Sequence, residues 1–168
     1  MLLRMQELIS KGTKLPLHAT VEVDKLLEGN KDVQKASPLV VELEAQAEAD
    51  VVRVEGKLHV DLELACSRCL EPAHAHLDIP FFERFKQGVS DGDEDEADDI
   101  IMSKEDKINL QPYVEESLLL YVPFVPLCSE QCRGLCPKCG VNLNESQCDC
   151  SREVIDPRFA ALKDLFKS

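Results

Sequence analysis

From Leu39 the chain alternates with a period of two: Leu39, Val41, Leu43, Ala45 and Ala47 fall on one side, Glu42, Glu44, Gln46 and Glu48 on the other. Such alternation sets one face of an extended segment against apolar neighbours and the other in water, and so predicts a half-buried strand. After a turn near Asp50 the apolar set moves to Val52, Val54, Leu58, Val60, Leu62, Leu64 and Cys66, against Arg53, Glu55, Lys57, His59, Asp61 and Glu63. Gly56 lies inside this run and predicts a bulge or bend, because so long an unbroken strand is uncommon in a small domain. A third run, Ala73, Ala75, Leu77, Ile79 and Phe81, alternates with His74, His76, Asp78 and Pro80, which leaves Cys66-Ser67-Arg68-Cys69 at a hairpin tip.

Elsewhere the pattern is shorter. Met5 to Ser10 predicts a short helix, Leu17 to Val23 an extended stretch, and Glu28, Gly29 and Asn30 a turn. Gln111-Pro112 opens a helix, since proline fits the first turn; Leu110, Val114, Leu118 and Tyr121 recur at helical spacing, and Pro123 ends it. Asp156-Pro157 repeats the cap-then-proline arrangement ahead of Phe159, Leu162, Leu165 and Phe166, the apolar stripe of a terminal helix. Together these elements predict an α+β fold: an antiparallel β-sheet, partly closed in one reading, with covering helices and a cysteine-rich zinc-binding tail. Residues 1–126 form the β-rich domain and residues 127–168 the cysteine-rich segment with its helix.

A chain of 168 residues, 44% hydrophobic, can bury one real core, and with 5% aromatics and no Trp it lacks a stacking platform for single-stranded nucleic acid. Lys and Arg number 19 against 32 Asp and Glu, a net charge of -13, so the chain gains no counterion-release energy along phosphates. Nine carboxylates and one lysine between Asp91 and Asp106 hold -8 of that charge. With so little apolar surface, residues 89–106 are expected to be a disordered loop. The run does not place a glycine at the position and spacing of a calcium loop. No segment reaches the roughly 18 apolar residues of a membrane span, and Met1 to Lys14 has no signal-peptide pattern. A cytoplasmic protein without membrane contact is the expectation.

In a reducing compartment the eight cysteines read as metal ligands rather than disulfides. They are spaced Cys66-x2-Cys69, then Cys128-x3-Cys132-x3-Cys136-x2-Cys139-x8-Cys148-x-Cys150. Thiolates two residues apart on a turn converge on one ion, and Zn takes four in a tetrahedron. Two structural zinc sites follow. In the favoured partition Cys136, Cys139, Cys148 and Cys150 form a self-contained set, and Cys66, Cys69, Cys128 and Cys132 tie the sheet to the tail. The other partition joins the knuckles Cys66/Cys69 and Cys136/Cys139. His74 and His76, on the polar face of a strand, read as solvated rather than ligating, as do His59 and His18. Arg68, Arg133 and Lys138 lie within the knuckles and are the candidate partner-binding cations. No nucleophile elbow, phosphate-cradling glycine loop or H-E-x-x-H occurs, so no enzyme is indicated and no catalytic residue is assigned.

Several stretches together resemble one family. They are Ala65-Cys66-Ser67-Arg68-Cys69-Leu70-Glu71-Pro72 after the long strand, Phe82-Glu83-Arg84-Phe85, the Tyr113 to Pro126 helix, Cys132-Arg133-Gly134-Leu135-Cys136-Pro137, Cys139-Gly140-Val141-Asn142-Leu143-Asn144 and Asp156-Pro157-Arg158. In this order they are similar to the YceD family, the bacterial large ribosomal RNA subunit accumulation proteins with chloroplast relatives. The resemblance implies a role in synthesis, processing or stability of large-subunit (23S) ribosomal RNA, and genomic association with a large-subunit ribosomal protein gene. It supplies no catalytic residue. The expected function is that of a non-catalytic ribosome biogenesis factor, with the pre-ribosomal large subunit or a basic ribosomal protein as partner and direct RNA contact left open. The rival is a zinc-dependent module that binds a basic ribosomal protein and affects RNA only indirectly. An RNA-processing enzyme would need clustered carboxylates, and the only cluster lies in the acidic run.

Overall fold

The computed structural model describes residues 1–88 and 100–150. In chain order the elements are β1 (Leu2–Arg4), α1 (Met5–Lys11), β2 (Leu15–Val21), α2 (Asp24–Leu27), β3 (Val33–Ala36), β4 (Leu39–Glu48), β5 (Val51–Ala65), β6 (Pro72–Gln87), β7 (Ile100–Ser103), β8 (Lys107–Asn109) and α3 (Gln111–Tyr121). The main sheet has six strands in the order β2-β4-β5-β6-β7, with β3 pairing β5 beyond the end of β4; β1 and β8 form a separate two-stranded ribbon.

One face of the sheet is the core. Leu39, Val41, Leu43 and Ala45 of β4, Val52, Val54, Leu58, Val60, Leu62 and Leu64 of β5, and Ile79, Phe81 and Phe85 of β6 are all buried. Against them pack Met5 and Leu8 of α1, Leu27 of α2 and Val114 and Leu118 of α3. Phe85 meets Tyr113 of α3 edge to face at 5.1 Å, an arrangement that suits the ring quadrupoles. Each such side chain gains about 1.5–3 kcal/mol on burial, which gives the sheet a core separate from the cysteine groups.

Several expectations need correction. The sheet is open, because β2 and β7 end the strand order unpaired with each other; helices on one face and polar side chains on the other complete it without closure. It is also not wholly antiparallel, since β7 runs parallel to β6, with Arg84 opposite Ile100 and Gln87 opposite Ser103. The expected loop therefore does not extend to Asp106. Ile100–Ser103 is a strand, and Asp106 accepts the Met5 and Gln6 N–H groups on its carbonyl and carboxylate, at 3.0 and 2.7 Å, capping α1. Residues 89–99 and the predicted terminal helix lie outside the described residues. Gly56 makes no bulge: β5 keeps register through it with Leu43 on one side and Phe81 on the other. The irregularity falls instead on β3, between Val33 and Lys35. Tyr121 is 48% exposed and does not join Val114 and Leu118 in the core.

Candidate metal centres

The β5–β6 turn carries the first pair of cysteines. The Cys66 N–H donates to Glu71 O at 2.9 Å and the Leu70 N–H to Cys66 O at 2.8 Å, which folds the turn back on itself. Leu70 adopts φ +66°, a left-handed conformation that is unusual for a leucine. Cys136 and Cys139 form the same knuckle: the Cys136 N–H donates to Val141 O at 2.8 Å, the Gly140 N–H to Cys136 O at 2.9 Å, and Gly140 has φ +74°. The two turns thus repeat one backbone pattern at equal offsets.

Two other cysteines come to the first knuckle from beyond α3. The Ser67 N–H donates to Pro126 O at 2.9 Å, drawing the segment after the helix alongside the hairpin tip. Cys128 Sγ then lies 3.6 Å from Cys69 Sγ, and Cys132 Sγ lies 3.8 Å from Cys66 Sγ. A tetrahedral ion with metal–sulfur bonds of about 2.3 Å requires sulfur–sulfur edges of about 3.8 Å. A disulfide would need about 2.05 Å. All eight thiols are free. Cys66, Cys69, Cys128 and Cys132 form one group and Cys136, Cys139, Cys148 and Cys150 the other, with the sulfurs of each within 4.8 Å of one another. Of the two partitions left open by the spacing, the geometry brings together the first.

The electrostatics of each group fit a cation. Burial raises the Cys66 thiol, but N–H groups of Cys128, Arg68 and Cys69 aimed at its sulfur more than offset this and bring it to about 6. Cys136 is likewise lowered to about 6 by the Cys139 and Lys138 N–H groups. In both knuckles the donors stand two and three residues after the first cysteine. The Asn144 side chain, donating to Cys132 Sγ at 3.4 Å, lowers that thiol as well. Other members are held up. Although the Glu71 N–H favours its thiolate, Cys69 is pushed to about 12 by burial and by the other thiols of its group. Cys150 reaches about 12 through Cys139 and burial. Four thiolates this close repel one another, and a dication among them removes that repulsion. Either group can hold a metal ion.

The groups are joined through the first knuckle. The Leu135 N–H donates to Arg68 O at 3.0 Å, the Leu143 N–H to Gly134 O at 2.9 Å and the Arg133 N–H to Asn144 Oδ1 at 2.7 Å. Around them Cys66, Cys69, Ala73 and Cys132 form a small buried cluster with Leu127 and Leu135 against it. The candidate partner-binding cations, Arg68, Arg133 and Lys138, are all exposed, but Arg68 also donates from Nη1 to Cys132 O at 2.8 Å and so braces the first group.

The histidines stand apart from both groups. His76 Nδ1 lies 2.6 Å from Asp61 and His59 Nδ1 2.5 Å from Asp78, cross-strand pairs on the polar face of β5 and β6. Sequence reasoning did not foresee Asn144 or the structural place of Leu70. Leu70 takes the same position after its knuckle's second cysteine as Gly140, and the glycine there was the signal that this position needs a left-handed backbone.

The fold and site define an α+β domain whose hairpin tip and tail bring together two four-thiol groups, each of which could hold a metal ion. The chain belongs to the family described as Large ribosomal RNA subunit accumulation protein YceD, which it matches over residues 54–166, a span that contains every cysteine. The uncharacterized protein YlbN of Bacillus subtilis is 32% identical over 149 residues, 88% of this chain and 86% of that protein. An uncharacterized protein of Mycobacterium tuberculosis is 31% identical over 134 residues, 79% of this chain; the chain spans only 64% of that relative's length. The chloroplastic Large ribosomal RNA subunit accumulation protein YCED homolog 1 of Arabidopsis thaliana is 27% identical over 162 residues, covering 80% of this chain and 50% of that protein. No solved structure matches. No helix among the described residues is long and apolar enough to cross a membrane.

Proposed function

We propose that this protein supports the accumulation of large-subunit (23S) ribosomal RNA as a non-catalytic, cytoplasmic assembly or stabilising factor. The observation that carries this reading is the family match over residues 54–166. The two cysteine groups are proposed to hold zinc as structural centres. Four soft thiolates in a tetrahedron suit Zn and leave no position open for substrate. When bound, the metal supplies charge compensation and a cross-link between hairpin and tail; the chain's own residues do the rest. Backbone N–H groups of Arg68, Cys69, Lys138 and Cys139 hold the thiolate charge, and Arg68 holds the Cys132 carbonyl.

The net charge of -13 favours a second reading of the partner, in which a basic ribosomal protein is the direct contact and RNA is affected indirectly. Arg68, Arg133 and Lys138 are the cations proposed for any direct contact with RNA. Two measurements separate these. Sedimentation of a lysate should find the protein with precursors of the large subunit, and its depletion should lower 23S relative to 16S RNA. Titration at near-physiological salt should then show tighter binding to a basic ribosomal protein than to protein-free 23S RNA. An unchanged ratio of the two RNAs on depletion would refute the ribosomal role. Tight binding to bare RNA that is lost in the Arg68→Gln, Arg133→Gln, Lys138→Gln triple variant would overturn the protein-first reading.

A further inference from the structure

The two cysteine groups differ in what covers them. Cys66, Cys69 and Cys132 of the first are buried, with Cys128 exposed, and Ala73, Leu127 and Leu135 pack around them. In the second only Cys136 is buried; Cys139 is exposed, and Cys148 and Cys150 are half-buried. No hydrophobic cluster surrounds the second group among the described residues. A competing ligand in solution therefore reaches the second group first.

One side chain joins the two. Residues 140–147 form a loop with Cys139 before it and Cys148 after it, so the second group closes the loop at its base. From within this loop Asn144 reaches the first group: its Nδ2 donates to Cys132 Sγ at 3.4 Å, and its Oδ1 accepts the Arg133 N–H at 2.7 Å. Asn142 Oδ1 fixes its place by accepting the Asn144 N–H at 3.1 Å and Nδ2 at 2.9 Å. Asn144 thus belongs to the loop of one group and touches a ligand of the other. A donor aimed at a thiolate favours the charged form that a metal ion requires, and partners of this kind orient and tune the ligand.

We infer that Asn144 couples the two groups, so that a thiophilic divalent cation in the exposed second group tightens the hold of the first group on its own cation. The inference rests on the reading of both groups as metal centres. With the second group filled, Cys139 and Cys148 are held together and Asn144 stands on Cys132. With it empty, thiolates at the base of the loop repel one another, the loop opens, and both Cys132 Sγ and the Arg133 N–H lose their partner. Such coupling acts equally in both directions as a free energy. The difference in cover decides which group changes first: the second responds to the supply of metal and the first feels the response. Its consequence falls on the joint between hairpin and tail, because Cys66 and Cys69 lie at the β5–β6 turn while Cys128 and Cys132 lie beyond α3.

The test uses the full-length chain with cadmium as the probe, read by cadmium NMR so that each group gives its own resonance, and a chelator competition measures affinity group by group. Cys139→Ser with Cys150→Ser removes the second group and touches no ligand of the first. It should lower the cadmium affinity of the first group by about 10–100-fold, the range for losing a hydrogen-bond partner of a metal ligand. Asn144→Asp keeps an oxygen for the Arg133 N–H and replaces the amide donor with a carboxylate. In the fully loaded chain it should cause a comparable loss at the first group and move that group's cadmium resonance, and this measurement stands alone should the cysteine pair disorder the tail. Combined with the cysteine pair, Asn144→Asp should add little further loss. A first group indifferent to the cysteine pair would overturn the inference. So would an Asn144→Asp chain that binds like the parent, or losses that simply add, either of which would assign the link to the joint of Leu135 with Arg68. A parent chain that binds no cadmium would refute the metal-centre reading and the coupling with it, whereas two ions held independently would leave that reading intact and overturn the coupling alone.

Discussion

Gly134 lies against the backbone of Arg68, so close that a Cβ there would stand 2.9 Å from the Arg68 carbonyl oxygen and 3.2 Å from its Cβ. The same carbonyl accepts the Leu135 N–H, so the approach of the second cysteine group to the first depends on one missing methyl. Gly134→Ala must pay twice, once for a left-handed φ of +74° and once for moving Arg68. Gly140→Ala has the same φ and nothing within 4 Å, so it carries only the first cost, about 1–2 kcal/mol. Gly134→Ala should therefore be the more destabilising by about 1 kcal/mol or more. Amide exchange at Leu135 and the rate of metal transfer to a chelator should both rise further in it than in Gly140→Ala; equal effects would contradict the packing argument.

Metal analysis of the reduced, gently purified protein should give two zinc ions per chain. On chelation, residues 127–150 should lose order first, because among the described residues they share with the hairpin tip only the small cluster of Cys66, Cys69, Ala73 and Cys132, whereas 22 form the main core. Far-UV circular dichroism should retain its β-sheet signal while amides of the tail become exchangeable. Collapse of the whole spectrum in step with metal loss would mean that the sheet has no independent core.

Gly56 tests the centre of the sheet. Because β4 and β5 stay in register there, a Cβ would fall 2.1 Å from Glu42 O and 2.8 Å from the Leu43 Cα, both main-chain atoms that cannot rotate away. Gly56→Ala should cost about 3 kcal/mol, at the upper end of overpacking penalties, and should lower the urea midpoint without changing the slope. A loss under about 0.5 kcal/mol would show that the strands separate freely at this point.

The polar face of the sheet should give a shallow dependence of stability on pH. The Asp61 hydrogen bond and charge, then the charge of Asp78, raise the His76 pKa above 6.5. That contribution is complete below pH 6.5 and is lost as pH rises through the raised value. Asp78 is lowered below 3.8, chiefly by its hydrogen bond to His59. Its contribution is complete above pH 3.8 and is lost as pH falls through the lowered value. Both are present between about pH 4 and 6.5, and both are small because the groups are exposed. Melting temperatures of Asp61→Asn should fall less than those of the parent as pH rises from 6 to 8; parallel profiles would remove His76 from the account.

The strands β4, β5 and β6 and the helices α1 and α3 were legible because each buries one face over enough residues for its period to register. β7 was not, since four residues at the end of a like-charged run carry no period of their own, and its partner β6 is more than a dozen residues away. β3 was hidden by the shift between Val33 and Lys35, which breaks alternation in a strand only four residues long. Gly56 was noticed for the right reason and given the wrong consequence. A missing side chain within a strand signals either an extra residue or a close neighbour, and only the cross-strand register separates the two. The cysteine spacing limited the grouping to two arrangements. Choosing between them required knowing that α3 returns the chain to the hairpin tip, which is a tertiary fact.

The ribbon of β1 and β8 sets an order on how the chain becomes native during synthesis. Leu3 faces Ile108 across it, and the Met1 carbonyl accepts the Leu110 N–H at 2.8 Å, so the residues of β1 find their partners more than a hundred residues later. Closing such a loop costs about 4 kcal/mol in chain entropy beyond a constant term, and nothing offsets it until Ile108 arrives. The strands β2 to β6 are neighbours along the chain and can pair as they emerge. Leu3, buried in the finished fold, must wait for β8, whereas Met5 and Leu8 can already pack on β4 and β5. A nascent chain halted before Lys107 therefore presents an unpaired β1, with Leu3 uncovered, to chaperones and proteases, however well the strands between have assembled.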